Sequence, residues 1–490
     1  MKSLVHFDQT INKSLQDWHI PGAAVAIVKD EETLYMKGHG LRDIELGLPI
    51  TENTRFPIAS MTKTFTAMGA AILVDEGLLS WDQPVRDLMP GFRLADDYAT
   101  ARTTLRDLLS HRTGLPRHDA TWYGTHKTQQ ELYDGLRHLK SSADFRSLWQ
   151  YNNLMYEVVG LMCAQASGAE SWESFIQNRV IDPLGLTSTT ANAEKAGSTR
   201  FSDIALPYRL KNGENEPHRI PVFEHNLGPA GSIHSTLTDM ITWIKVHTNR
   251  GLSNGVQLVS EQNLGHMHTP QMLIEATAQQ ISLFNNKLFS YGLGWFIEPY
   301  QGVTLCHHGG NVGGFSLITG FVPQENIGLV VLTNIKGTFL TKALMYEALD
   351  RVLGVDSGKT KDWISEYLKL SHKSEQEELN ALVDSNLARI ADSPASHELK
   401  DYAGTYIAPG YADIEIKRKD NELWGFYAGE WFKLLHYHYD IFELDRRETF
   451  GDTIKVSFIS DSDGLINQLH FPIEPEVANT VFHISVVTSK

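Results

Sequence analysis

The sequence predicts an α+β protein with an all-β C-terminal region. Two observations carry this. Apolar, strand-like runs stand near both ends of the first 355 residues, with helical stretches between them. From Tyr402 onward the pattern changes to short alternating runs broken by turns. At 490 residues the chain exceeds one ordinary core, so two or three domains are expected.

Taken in order, Leu4, Phe7, Ile11, Leu15 and Trp18 recur at helical spacing and predict an amphipathic first helix. The apolar run 22–28 predicts a buried strand, with 34–40 as its hairpin partner. Residues 62–76 are apolar on nearly every side until Asp75, which predicts a helix buried within a domain. Helical stretches follow at 152–167 and 236–249, and 327–333 predicts another interior strand. The sheet begun at residue 22 is thus expected to be completed late in the chain. Residues 356–400 are polar and charged, with a helical segment around 374–391, and read as a linker with a bridging helix. Residues 401–490 contain seven or eight short strands, which predict an antiparallel barrel or sandwich. The expected units are therefore 1–355, 356–400 and 401–490. Trp424, Phe426, Trp431 and Phe432 are expected in the core of the last one.

The net charge is 43 − 59 = −16, which repels phosphate backbones and anionic membrane surfaces, so nucleic acid is not an expected partner. Two cysteines, Cys163 and Cys306, exclude a disulfide framework and leave room for a single bridge. No stretch approaches the ~20 apolar residues that span a bilayer. The first residues lack the apolar run of a signal peptide, so the expected location is the cytoplasm, or the periplasm or exterior if a leader had been removed.

Three segments carry chemistry. Ser60-Met61-Thr62-Lys63 stands where a predicted strand and turn (56–59) enter the buried helix, and Ser60 is the only serine with a lysine three residues on. Positions i and i+3 share a helix face, so Lys63 lies beside Ser60. A serine hydroxyl needs an adjacent base to become a nucleophile, and a helix start offers amide donors to a developing oxyanion. The plainer alternative is a capping serine with a surface lysine. Tyr151-Asn152-Asn153 opens a helix, where an Asn cap beside an exposed tyrosine is the plainer alternative. His308-Gly309-Gly310-Asn311 lies in a glycine-rich run, 306–315, that lets a backbone approach a ligand closely, or that simply forms a turn.

These three segments, in this order, resemble the serine β-lactamase and penicillin-binding protein superfamily, whose signature set is Ser-x-x-Lys, Tyr-x-Asn or Ser-x-Asn, then Lys-Thr-Gly on an edge strand. The tyrosine version resembles the class C β-lactamase-like branch, with its D-aminopeptidase, DD-peptidase and esterase relatives. Further matches are Asp107-Leu-Leu-Ser-His-Arg-Thr-Gly114, Gly228-Pro-Ala-Gly-Ser232 and Tyr291-Gly-Leu-Gly-Trp295. The resemblance covers roughly 1–350 and implies an antiparallel sheet flanked by helices plus a mainly helical subdomain. The tail is similar, more loosely, to the lipocalin-like extra domain of some members.

The resemblance implies that Ser60 attacks a carbonyl to form an acyl-enzyme that water hydrolyses, with no cofactor and no metal. A working lysine base needs its pKa lowered by about three units, roughly 4 kcal/mol. Lys63 and Tyr151 are expected to share one proton near neutral pH, with Tyr151 relaying it to the leaving group. The oxyanion hole is expected from the amides of Ser60 and Asn311, beside the close approach that Gly310 allows. Asn153 is expected to hold a substrate carbonyl and orient Lys63, and His308 to meet the substrate's carboxylate or leaving group. A histidine there carries less charge than the family's lysine. That ranks D-amino-acid peptidase or esterase action on a small molecule or short peptide above β-lactamase action. The alternatives are a true class C β-lactamase, a silent penicillin-binding scaffold, and a metal hydrolase built on His266/His268 or His436/His438, pairs that strand spacing would place on one face. A homo-oligomer through the C-terminal domain is also expected.

Overall fold

The computed structural model describes residues 4–192, 203–211, 214–217, 227–356, 358–445 and 453–485. In β1 (Gly22–Lys29), Ala23, Val25 and Ile27 pack into one apolar cluster, and Ala24, Ala26 and Val28 into another. Side chains alternate along a strand, so a strand apolar throughout must be covered on both faces. β2 (Glu32–Asp43) pairs beside it and β3 (Leu48–Pro49) forms the edge. The other strands come late in the chain: β4 (Met272–Ile274), β5 (Phe289–Tyr291), β6 (Phe296–Tyr300), β7 (Val303–Val312), β8 (Phe315–Val322) and β9 (Ile327–Thr333). The sheet order is β4-β5-β6-β7-β8-β9-β1-β2-β3, with β9 antiparallel to β1 at Ala26↔Val330. The late completion read from the sequence is the β1–β9 pairing.

One face of the sheet is covered by α1 (Phe7–Asp17). The other carries α4 (Leu237–Thr248) and the helical region built on α2 (Thr62–Asp75) and α3 (Asn153–Ser167). α5 (Leu340–Leu353) returns to the first face. α6 (Trp363–Leu387) follows it. α6 starts earlier than the sequence suggests, because Trp363 and Tyr367 pack against Tyr346 and Asp362 caps Ser365 through its Oδ1 at 3.0 Å. Cys163 and Cys306 are separate buried thiols. No described helix is long and apolar enough to cross a membrane.

Eight strands then close a barrel: β10 (Gly404–Ile407), β11 (Ile414–Lys419), β12 (Glu422–Tyr427), β13 (Glu430–His438), β14 (Ile441–Asp445), β15 (Thr453–Ser460), β16 (Ile466–Phe471) and β17 (Thr480–Ile484), with β10 pairing β17. The predicted strand ends at Arg446, Arg447 and Val486 lie outside the described residues. One expectation is corrected here. Of the four aromatics assigned to the barrel core, only Phe432 points inward, lying over Gly425. Trp424, Phe426 and Trp431 fall on the outer phase of the two-residue repeat, with Lys417 and Lys419 over the Trp431 ring and Lys419 also over Trp424.

Candidate active site

The strand Arg55–Pro57 runs into a 3₁₀ turn, Ala59–Met61, and directly on into α2. Ser60 therefore sits one turn before the helix proper. Ala59 adopts a left-handed conformation, φ 49°, which costs an L-residue about 1 kcal/mol. The turn is held by Ile58 N–H to Ile233 O at 2.8 Å and Met61 N–H to Ile58 O at 3.1 Å. It is also pressed by β7: a Cβ on Gly310 would lie 2.3 Å from Ile58 O, so only glycine permits this approach.

α2 is buried from Thr62 to Leu73, and Lys63 is 0% exposed. The amine lies 2.7 Å from Asn153 Oδ1, 2.8 Å from the Ala230 carbonyl and 3.2 Å from Ser60 Oγ. Burial pushes its pKa well below the ordinary lysine value, and the Arg117 charge pushes the same way. A neutral amine has two protons and one lone pair. The two carbonyl oxygens accept the protons, and the lone pair is left facing the one partner that can donate, the serine hydroxyl. The plainer alternative of a surface lysine does not hold.

Asn152, not Asn153, caps α3, through Oδ1 to Met155 N–H at 3.1 Å. That leaves the Asn153 side chain free to face Lys63. Tyr151 stands beside this pair, its ring centre 4.9 Å from the Lys63 amine. Burial raises the phenol's pKa above the ordinary tyrosine range, against the opposing pull of Ser60 and Arg117. The proton expected to be shared is therefore biased toward Tyr151, leaving Lys63 the neutral partner.

Two residues of this site escaped the sequence reading. Asp119 Oδ1 accepts the Asn153 amide at 3.0 Å, which turns the Asn153 oxygen toward Lys63. Arg117 Nε donates to Asp119 Oδ2 at 2.6 Å, and its guanidinium lies 5.0 Å from the centre of the Tyr151 ring. The Arg117 side chain is 47% exposed, and among the described residues its terminal nitrogens make no hydrogen bond. The signal was present as a Leu-Pro-Arg-His-Asp run just after the Asp107–Gly114 stretch, but nothing local says which way those charges point. Asp107 itself is fully buried between Arg112 and Arg146 and serves the helical region.

The third segment is placed differently from its expected role. β6 pairs β7 only as far as Phe296↔His307, so residues 308–312 have β8 on one side alone. Asn311 is exposed and pairs with Ser316. His308, however, is 1% exposed; its Nδ1 donates to Gly309 O at 2.7 Å and its Nε2 accepts from the Tyr291 hydroxyl at 3.0 Å. Burial and the nearby Lys63 push its pKa down to about 3. Both nitrogens are taken and the ring is neutral, which corrects the expectation that His308 meets a substrate carboxylate. The paired histidines are also corrected. His266 lies in the helix Glu261–Met267, and His268, just past its end, faces His247 Nδ1 at 3.0 Å. His436 and His438 flank a register shift in β13. Among the described residues no group of three or more potential ligands could hold a metal ion.

A family model described as Beta-lactamase matches residues 7–351. The chain belongs to the beta-lactamase family. A second model, described as a domain of unknown function (DUF3471), matches residues 388–484. Unguisins hydrolase ungD of Aspergillus violaceofuscus is 28% identical over 440 residues, which is 84% of this chain and 76% of that protein. Protein flp of Staphylococcus aureus is 26% identical over 342 residues, 68% of this chain and 64% of flp. Among solved structures, the octameric penicillin-binding protein homologue from Pyrococcus abyssi has a TM-score of 0.65 at 22% identity and covers 98% of this chain and 99% of its own. A class C β-lactamase from Rhodobacter sphaeroides has a TM-score of 0.58 at 20% identity, over 71% of this chain and 99% of its own. At those identities the structural likenesses establish the fold.

Proposed function

We propose that this family member is a serine hydrolase that works through an acyl-enzyme at Ser60 on amide or ester substrates, of the D-amino-acid peptidase or esterase type. The observation that carries the reading is the Lys63 amine, buried and held by two carbonyl oxygens with its remaining valence toward Ser60 Oγ. In the proposed cycle Lys63 takes the serine proton as Oγ bonds the substrate carbonyl carbon. Tyr151 gives its proton to the leaving group and is reprotonated from Lys63. Water then attacks the ester and releases Ser60. The amides of Ser60 and Asn311 would receive the oxyanion, and Asn153 would help to hold the substrate carbonyl. The relative named as a hydrolase of unguisins supports hydrolysis over a silent scaffold. A fluorophosphonate probe should label Ser60, and labelling elsewhere or none would end the reading. Short acyl esters, D-amino-acid peptides and a chromogenic cephalosporin, tested on wild type and Ser60→Ala, separate the substrate classes.

With His308 buried and neutral, Arg117 is an exposed cation beside the site, 5.0 Å from the centre of the Tyr151 ring. Acylation should fail at low pH as Lys63 takes up a proton. Arg117 depresses that pKa, so Arg117→Gln should move the acid limb of the pH–rate profile upward. A limb that stays put or moves down would remove Arg117 from the electrostatics of the site. Tyr151→Phe should slow amide hydrolysis about 10²-fold, while an aryl ester, whose leaving group needs no proton, should lose far less. Equal losses on both substrates would rule out the relay. For the oligomer expectation, the structural relative from Pyrococcus abyssi is octameric, and light scattering on the full chain tests whether this one assembles.

A further inference from the structure

The barrel touches the catalytic machinery at its electrostatic centre. Glu474, in the turn between β16 and β17, is 4% exposed. Its Oε2 accepts the backbone N–H of His118 at 2.5 Å, and its Oε1 accepts Glu476 N–H at 3.2 Å. His118 stands between Arg117 and Asp119, the two charges that face Tyr151 and Asn153. Its ring is held from both sides, Nδ1 by the Tyr411 hydroxyl of the barrel at 2.7 Å and Nε2 by Lys140 O at 2.9 Å. His118 also has a left-handed backbone, φ 47°, a conformation that persists only when its surroundings enforce it. A few residues on, Glu476 Oε2 accepts from Gln150 Nε2 at 2.7 Å, and Gln150 directly precedes Tyr151. Tyr427 of the barrel wall donates to Ala120 O at 2.8 Å.

A continuous series of contacts therefore runs from barrel to nucleophile: Glu474 to the His118 amide, along the chain to Asp119, then to Asn153, Lys63 and Ser60. We propose that the Glu474–Glu476 turn is a positioning element of the active site, holding Arg117, Asp119 and Tyr151 in register with Lys63, so that the barrel completes the hydrolase site. The physical reason is that the 115–124 loop carries no strand and its end, Ala120 to Gly124, is packed by barrel backbone and side chains. A Cβ on Gly124 would meet the Ala428 carbonyl at 2.7 Å. Without the barrel anchors the left-handed turn at His118 would keep only its contacts within the hydrolase domain, such as Lys140 O on the ring and Thr121 on the carbonyl, and the placement of Asp119 against the Asn153 amide would loosen.

This inference rests on Ser60 being the acylated nucleophile, and the test separates the two claims. The rate of fluorophosphonate acylation is measured on the full chain for wild type, Glu474→Ala, Glu474→Gln and the Glu474→Ala/Glu476→Ala pair, with thermal melting alongside. If wild type is not labelled at Ser60, the functional reading falls first. If it is labelled, Glu474→Ala should be slowed about tenfold or more and the double variant further. Glu474→Gln, which keeps an acceptor for His118 N–H, should recover most of the rate. Glu474→Ala labelled as fast as wild type, or Ala and Gln variants slowed alike, would overturn the proposal. Should Glu474→Ala not fold, Tyr411→Phe removes one anchor of His118 and leaves the barrel wall intact. A slowed rate there supports the proposal and an unchanged one overturns it.

Discussion

Replacing Lys63 with methionine should lower the rate of the proposed Ser60 acylation by roughly 10³-fold, within the range for loss of a positioned general base. Methionine fills similar volume but cannot accept the serine proton. Lys63→Arg sharpens the result. Arginine keeps the charge and the donors but is not deprotonated in proteins, so it should fail as completely as methionine if the amine acts as a base. Recovery of activity with arginine would mean that the group acts only as a cation. The measurement is the time course of fluorophosphonate labelling, with the modified peptide mapped by mass spectrometry. The pH dependence follows from the direction of the shift: in the proposed cycle the neutral amine is the working form, so the rate should rise as pH climbs through the depressed Lys63 value and then level.

The second large effect needs only one methyl group. Gly310→Ala should cost about 10²-fold in acylation, because the new Cβ would lie 2.3 Å from Ile58 O, a backbone atom of the nucleophile turn. The turn or β7 must move: the first displaces Ser60 from Lys63, and the second displaces the Asn311 amide from Ser60. Gly309→Ala is the matched control: its Cβ would meet Leu317 O at 3.5 Å, an ordinary contact, and the activity should survive. Equal rates for the two variants would mean that the close approach of β7 has no catalytic role. Melting temperatures distinguish displacement from unfolding, since overpacking alone costs about 1–3 kcal/mol.

Much of this was legible in the chain because the signals are periodic or local. The run at 22–28 is apolar at every position, as a strand covered on both faces requires, and β1 is covered so. Lys63 in an otherwise apolar helix announces a buried amine. The barrel strands show their two-residue repeat plainly. The same repeat, read for hydrophobicity alone, misplaced Trp424, Phe426 and Trp431. Large aromatics are counted as core by type, whereas facing is set by phase, and Lys417 and Lys419 lie over the Trp431 ring, Lys419 over Trp424 as well. His308 was misjudged for a related reason. Its motif position suggests a ligand contact, but the Tyr291 hydroxyl and the Gly309 carbonyl take both nitrogens, and neither partnership can be read from spacing.

Residue order alone pointed to the family, the two kinds of core and the serine, lysine and tyrosine that meet. Those properties depend on side-chain type and on neighbours within a few positions, where chain geometry leaves few choices. Only the folded arrangement decided where the protons rest, which end of the Asn153 amide faces Asp119, and that a turn beyond residue 470 contacts a loop near residue 118. Burial and hydrogen-bond pairing create those features, and both are sums over atoms contributed by segments hundreds of residues apart.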